Sequence, residues 1–246
     1  MSLTNDQYSS ITYNIKIYCK HIANIKAEDI LKIMKLINLN IKDLDVNLNI
    51  KSKVIFVMPY IDEPQKKQAC EILLKRASYS DASLIAVNDN LRKGFVTIVN
   101  SVFNSTESDL FGYLASDVFP SRNWLNYSVQ MFKNQQIGLL AYNDGKWFGA
   151  LASFGLARRS WIKKIYKNYF FYFGYKSHYA DTELSVLASA TNSLNYNANI
   201  TMMEIDYKKD EKQVNIDDKK LFGQRMKNFK KSEINWQNPK ALSFFK

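Results

Sequence analysis

The chain has 246 residues, 46% of them apolar and 14% aromatic, with 34 Lys and Arg against 23 Asp and Glu and a formal net charge of +11. That length buries a full core as one catalytic-size α/β unit. The two cysteines, Cys19 and Cys70, stand far apart in unlike contexts, which excludes a disulfide framework and a thiolate metal site, and no apolar run reaches the roughly 18–20 residues of a spanning helix.

No basic-then-apolar leader opens the sequence, so a reducing cytoplasmic setting is expected, with the protein soluble or peripheral on the inner face of a membrane. The positive charge is uneven: from Lys208 to Lys246 there are 11 Lys and Arg against 5 Asp and Glu. The body is only mildly basic, which argues against nucleic acid as its partner and leaves an anionic membrane or a phosphorylated substrate.

Ile11 to His21 alternates apolar and polar residues and reads as a strand, followed by a helix from Ala27 to Leu36 with Ile30, Leu31, Met34 and Ile37 at helical spacing. Val46 to Ile50 alternates as an edge strand does, and Val54 to Met58 is continuously apolar, as a strand covered on both faces would be. Asp62 and Pro64 open a helix as cap and first-turn residue. Ser83 to Val87 is a buried strand ending in Asn88-Asp89-Asn90, and Gly94 opens a helix with Phe95, Ile98, Val99, Val102 and Phe103 on one face. Strands and helices alternating in this way predict a mostly parallel sheet with right-handed crossovers.

The stretch Ser108 to Trp124 organises the rest of the chain. An apolar run, Leu110 to Ala115, stops at Ser116-Asp117, and an acid at the carboxyl end of a buried strand marks a ligand crevice in open α/β sheets. A turn role for Asp117 is the plain alternative. Beyond it come a helix from Ser121 to Asn134, a strand at Ile137 to Tyr142 and a turn at Asn143-Asp144-Gly145 that predicts a hairpin into Trp147. A basic segment then carries Arg158, Arg159, Lys163 and Lys164. An aromatic run, Tyr169 to Tyr175, leads to a helix at Thr182 to Leu194 with His178 and Asp181 at its cap, and Asn199 to Ile205 is a last strand.

In that order the pieces resemble the family-2 glycosyltransferases, whose GT-A fold is a Rossmann-like nucleotide-binding α/β sheet flanked by helices. YLASDVFPSRNWL resembles the family's acidic strand end, with Asp117 matching the last acid and Ala115 and Ser116 standing where further acids are common. The resemblance implies that Asp117 holds a divalent cation, Mn or Mg, against the donor diphosphate. NDNLRKGFVTIVNSVF resembles the family's helix entrance and implies nucleotide contacts at Asn88, Lys93, Gly94 and Asn100, joined by Ser116 and by Asp62 on an acidic turn. HYADTELSVLASA resembles the segment whose Asp is the general base of inverting enzymes, which implies that role for Asp181, with Glu183 nearby.

The implied activity moves a sugar from a nucleotide-diphosphate donor, UDP-type favoured, to a saccharide or lipid-linked acceptor in surface polysaccharide synthesis. His178 would be a late metal ligand or a substrate contact, or would simply pack among aromatics. Trp147, Arg158, Arg159 and Glu183 would line the acceptor side, with Trp147 otherwise serving the core and the arginines a solvated basic face. Residues 1–207 form the expected catalytic domain. Residues 208–246 form a basic, aromatic-containing tail that would rest on anionic lipid or wrap back as an amphipathic helix. A nucleotidyltransferase and a non-catalytic nucleotide- or glycan-binding protein are the rival readings.

Overall fold

The computed structural model describes residues 34–45, 48–205 and 215–231. The strand expected at Ile11 to His21, most of the helix expected at Ala27 to Leu36, and the tail outside 215–231 lie beyond the described residues. Lys35 and Leu36, expected to end that helix, instead open strand β1, Lys35–Asn40. The period-two pair Ile37 and Leu39 packs toward the core there, and the backbone pairs in parallel from Lys35 opposite Ser83 to Asn40 opposite Asn88. Strand pairing outweighs the helical spacing of the same residues.

A short helical turn, Ile41–Asp45, leads to a two-residue strand β2, Ile50–Lys51, where a longer edge strand was expected. Strand β3, Val54–Tyr60, is followed by helix α1, Glu63–Ala77, then β4, Ala82–Asn88, and α2, Phe95–Ser105. Next come β5, Thr106–Glu107, β6, Leu110–Tyr113, β7, Val118–Pro120, and α3, Trp124–Met131. The chain continues through β8, Leu139–Asn143, β9, Gly155–Arg158, and α4, Arg159–Tyr166. It closes with α5, Ala180–Ala190, β10, Leu194–Glu204, and α6, Ile216–Lys231.

Eight of these strands form one sheet in the order β1-β4-β3-β6-β9-β8-β10-β7, while β2 and β5 pair separately. Strands β1, β4, β3, β6, β8 and β10 run the same way; β9 and β7 run against them. Val54, Phe56 and Met58 of β3 face one layer, where Ala69, Cys70 and Leu73 of α1 and Trp124 and Leu125 of α3 meet them. Ile55 and Val57 face the other, against Ile98, Val99 and Val102 of α2 and Leu184 of α5. Each fully buried side chain of this size contributes about 1.5–3 kcal/mol. That two-sided burial is why VIFVM is an unbroken apolar run.

One junction is as expected and one is longer. Asp62 caps α1 by accepting from the Gln65 N–H at 2.8 Å. The connection from β8 to β9 is a hairpin only in direction: residues 144–154 form a long loop, and Trp147 sits in it rather than on a strand. Asp144 explains the difference, because its Oδ1 accepts from the Lys146 and Trp147 N–H groups at 2.9 and 2.8 Å and its Oδ2 from the Ser153 hydroxyl at 2.7 Å. Such a turn bends the chain away from a ladder.

Candidate functional site

The parallel strands deliver acids to one edge of the sheet. Asp62 follows β3, Asp89 follows β4, Asp117 follows β6, Asp144 follows β8, and Glu204 ends β10. A crevice at carboxyl ends is where α/β sheets take ligands. Asp62, Asp89 and Asp144 have local tasks in shaping the turns they stand in. Asp89, 6% exposed, accepts from the Lys93 and Gly94 N–H groups at 2.7 and 2.9 Å and so shapes the turn into α2. Gly94 has φ +93°, and a Cβ there would meet the Lys176 carbonyl oxygen at 3.1 Å, so both backbone and neighbour select glycine.

A cleft of about 630 Å³ opens on this edge. It gathers His178 and Asp181 from the lip of α5, Trp147 and Asp144 from the β8–β9 loop, Glu204 from β10 and Phe222 from α6. Of the residues singled out in the sequence, Asp181, His178 and Trp147 therefore meet. Asp181 is half-buried in the first turn of α5, and its main-chain carbonyl accepts from Ser185, whose hydroxyl in turn accepts from the Ala152 N–H. His178 Nδ1 lies 2.8 Å from the Ser177 hydroxyl. Trp147 is 43% exposed, with the Lys146 ammonium 5.5 Å from its ring centroid. A half-buried carboxylate facing an open cleft can take a proton from a bound hydroxyl, an imidazole beside it can meet negative charge, and an open indole face can stack on a sugar ring.

The other expected residues lie outside that cleft. Asn100 is buried, its Oδ1 accepting from the Phe170 and Phe171 N–H groups at 2.9 Å and its Nδ2 donating to the Phe171 carbonyl at 3.0 Å, so it ties α2 to the aromatic run. Arg158 donates to the carbonyls of Phe132, Asn134 and Ile137 after α3. Arg159 reaches the Phe103 carbonyl at 2.6 Å and the hydroxyls of Thr106 and Ser108, and burial pulls its guanidinium down to about 10. Both arginines serve the opposite edge of the sheet. Asn88 and Lys93 flank the Asp89 turn, with Lys93 exposed.

Glu183 is fully buried and its carboxylate receives four donors: Tyr166 at 2.6 Å, Tyr175 at 2.7 Å, and Arg225 through Nε at 2.6 Å and Nη2 at 2.8 Å. Burial and then the Glu183 charge push both phenols up, and the pairing outweighs burial at Arg225, whose guanidinium is held up.

Asp117 is 3% exposed, its main-chain carbonyl accepting from the Ile205 N–H at 2.9 Å, and the Ser116 hydroxyl donates to Gln65 at 2.7 Å. Among the described residues no group of three or more His, Cys, Asp and Glu is placed to hold a metal. Hard cations take several oxygen ligands. This donor set does not build a divalent-cation site by itself.

Asp89, Asp144 and Glu204 were not singled out from the sequence. The rule that marked Asp117, an acid closing an apolar strand run, also fits Asp89 after SLIAVN and Asp144 after IGLLAYN.

The class the fold defines is an α/β architecture, and the expected mostly parallel sheet flanked by helices is the one found. No family model and no curated protein matches the sequence. Among solved structures the chain is similar to a mannosyltransferase, PcManGT from Pyrobaculum calidifontis in complex with GDP-Man and Mn2+. The TM-score is 0.53 at 11% identity, over 78% of this chain and 67% of that one. A glycosyltransferase involved in glycosylation of the major capsid of PBCV-1 matches with a TM-score of 0.34 at 13% identity, over 46% and 62%. At 11% identity the mannosyltransferase likeness shows a shared fold. Among the described residues no helix is long and apolar enough to cross a membrane.

Proposed function

We propose that the chain transfers a sugar, a hexose or a relative of one, from a nucleotide-diphosphate donor to a saccharide or lipid-linked saccharide acceptor, in the manner of a family-2 glycosyltransferase. The observation that carries this reading is the meeting of Asp181, His178 and Trp147 in one cleft at the carboxyl edge of a sheet whose fold a mannosyltransferase shares. The acceptor hydroxyl attacks the anomeric carbon, the bond to the diphosphate breaks with its electron pair leaving on the nucleotide, and Asp181 takes the hydroxyl proton. Attack from the side opposite the leaving group inverts the anomeric centre. His178 and Lys146 meet the charge growing on the diphosphate, and Trp147 stacks on the acceptor sugar.

The nucleotide belongs at the ends of β4, β3 and β6, near Asn88, Lys93, Gly94, Asp62, Ser116 and Asp117, with UDP as the favoured base class. The complex of the similar mannosyltransferase supports a nucleotide sugar and a divalent cation, Mn or Mg. Asp117 is the residue that would hold such a cation together with the donor phosphates, and no step of the transfer is routed through it. Residues 1–207 are the proposed catalytic unit. Helix α6 belongs with that unit, and the basic residues of 208–246 outside it are proposed to serve a cytoplasmic, membrane-peripheral place in surface polysaccharide synthesis. The single acid at the Asp117 turn favours, as the second reading, a non-catalytic nucleotide- or glycan-binding protein.

The test is a thermal-unfolding series with UDP, GDP, CDP, CMP and dTDP, each with and without Mn2+. A ligand bound only by the folded state stabilises it by about 2.7 kcal/mol at a hundredfold excess over Kd. One nucleotide should raise Tm, and Asp181→Asn should keep that shift while losing transfer. Absence of any shift would overturn the reading; a shift without transfer would favour the binding protein.

A further inference from the structure

We propose that Asp218, on the helix that follows the sheet, is a positioning residue for the cleft; this rests on the glycosyltransferase reading. Helix α6 begins under an Asn215 cap, whose Oδ1 accepts from the N–H groups of Asp217 and Asp218 at 3.0 and 3.2 Å. In that first turn the Asp218 carboxylate is 1% exposed. Its Oδ1 accepts from the Lys176 N–H at 3.0 Å, and its Oδ2 from the Ser177 and His178 N–H groups at 3.0 and 2.9 Å. Three successive backbone N–H groups thus converge on one carboxylate. Such a concavity is an anion socket, and here a side chain 40 to 42 residues further along the chain fills it.

What the socket fixes is the approach to Asp181. The three bonded residues run directly into Tyr179, which caps α5 at φ +64°, a left-handed conformation that a bulky residue adopts only when its surroundings enforce it. Asp181 comes two residues later. Enforcement comes from α6 a second time, because the Tyr179 ring stacks on Phe222 with centroids 5.2 Å apart, one turn beyond Asp218. From the other side, the Lys176 carbonyl accepts from the Val96 N–H at 3.3 Å at the start of α2. The segment that carries His178 and leads to Asp181 is therefore held between α6 and α2.

The Glu183–Arg225 pair joins α5 to α6 independently of this segment. Loss of the Asp218 carboxylate should accordingly free residues 176–178 while α6 stays docked. Asp218 touches no reacting atom; it acts by setting where His178 and Asp181 stand.

The experiment compares the full chain with Asp218→Ala and with Asp218→Asn, which keeps the shape but removes one accepting oxygen. In Asp218→Ala, kcat should fall about tenfold or more with the donor KM within about twofold, since misplacing a reacting group costs turnover more than binding. Trypsin should cut after Lys176 faster than in the wild type. Added formate, a carboxylate small enough to refill the socket, should restore both kcat and protection, and Asp218→Asn should fall between. Wild-type kcat and wild-type cleavage in Asp218→Ala would overturn the proposal. So would a loss of kcat with cleavage unchanged and no response to formate. A wild-type chain that transfers no sugar would sink the glycosyltransferase reading alone, and the Lys176 cleavage with its formate response would still decide whether Asp218 holds the segment.

Discussion

At the amino edge of the sheet a crevice of about 690 Å³ is lined by Lys51, Lys53, Asp81, Glu107, Arg159 and Lys163; at the carboxyl edge a cleft of about 630 Å³ holds Asp181, His178, Trp147 and Glu204. The two are alike in size. Their chemistry differs: at the amino edge Lys51 and Glu107 pair at 2.8 Å in the open, Asp81 accepts from the Lys53 N–H at 2.9 Å, and buried Arg159 turns inward to the Phe103 carbonyl. Its charges answer one another or the fold. The carboxyl edge brings acids, an imidazole and aromatic faces together around one cleft. Volume does not separate the two edges, whereas strand direction and the kinds of side chain that line them do.

The sharpest break of that contrast is catalytic. Asp181→Asn should lower turnover by about 10²–10⁴-fold, the usual span for a general base, while Lys163→Ala at the amino edge should leave it unchanged. Similar losses in both, in a transfer assay, would erase the distinction. Next in size is the anchor behind the carboxyl cleft. Glu183→Gln leaves Arg225 without its charge partner and should cost about 3–5 kcal/mol, read from the urea midpoint. Lys51→Ala, which breaks only an exposed pair, should not move it.

Gly112 sits on β6, the strand that borders the amino crevice at one end and leads to Asp117 at the other. A Cβ there would run into the Phe56 ring and stand 2.8 Å from the Gly155 carbonyl oxygen. Gly112→Ala should therefore cost about 1–3 kcal/mol by overpacking, lower Tm, and leave any nucleotide-induced shift in place. The smallest effect belongs to a residue remote from both edges. Burial pushes the Cys70 thiol up from 9.0 to about 11. Between those values the folded chain binds more protons than the unfolded one, so this contribution is complete below pH 9 and is lost as pH rises through 11. In Cys70→Ala the fall of Tm over that window should be shallower than in the wild type.

The half of the fold built from β3, β4, β6, α1 and α2 was legible because local rules decide it. VIFVM and SLIAV are apolar on both faces, Asp62 and Pro64 mark a helix start, and Phe95, Ile98, Val99, Val102 and Phe103 repeat at helical spacing. From Asn143 onward the helix expected at Thr182 and the strand expected at Asn199 are found as α5 and β10, but the loop after Asn143 and the way these elements are tied together were not legible, because they come from bonds between distant residues. Nothing local to Glu183 announces Tyr166 and Arg225, and nothing local to Asp144 distinguishes a two-residue turn from a loop running to residue 154. Asn100 and Arg159 carry the same lesson for the site. Polar residues in a suggestive register can be engaged by groups some 50 to 70 residues away along the chain, as Asn100 is by the Phe170 and Phe171 backbone and Arg159 by the Phe103 carbonyl and the Thr106 and Ser108 hydroxyls.

Helix α6 also gives the molecule an order in time. Every strand among the described residues precedes it, and its bonds to Lys176 and Glu183 each span 42 residues. A growing chain can collapse its parallel core while α6 is still unmade, but the lip around His178 and Asp181 takes its final place only when that helix emerges and docks. Until then the nascent protein has a sheet without a finished cleft.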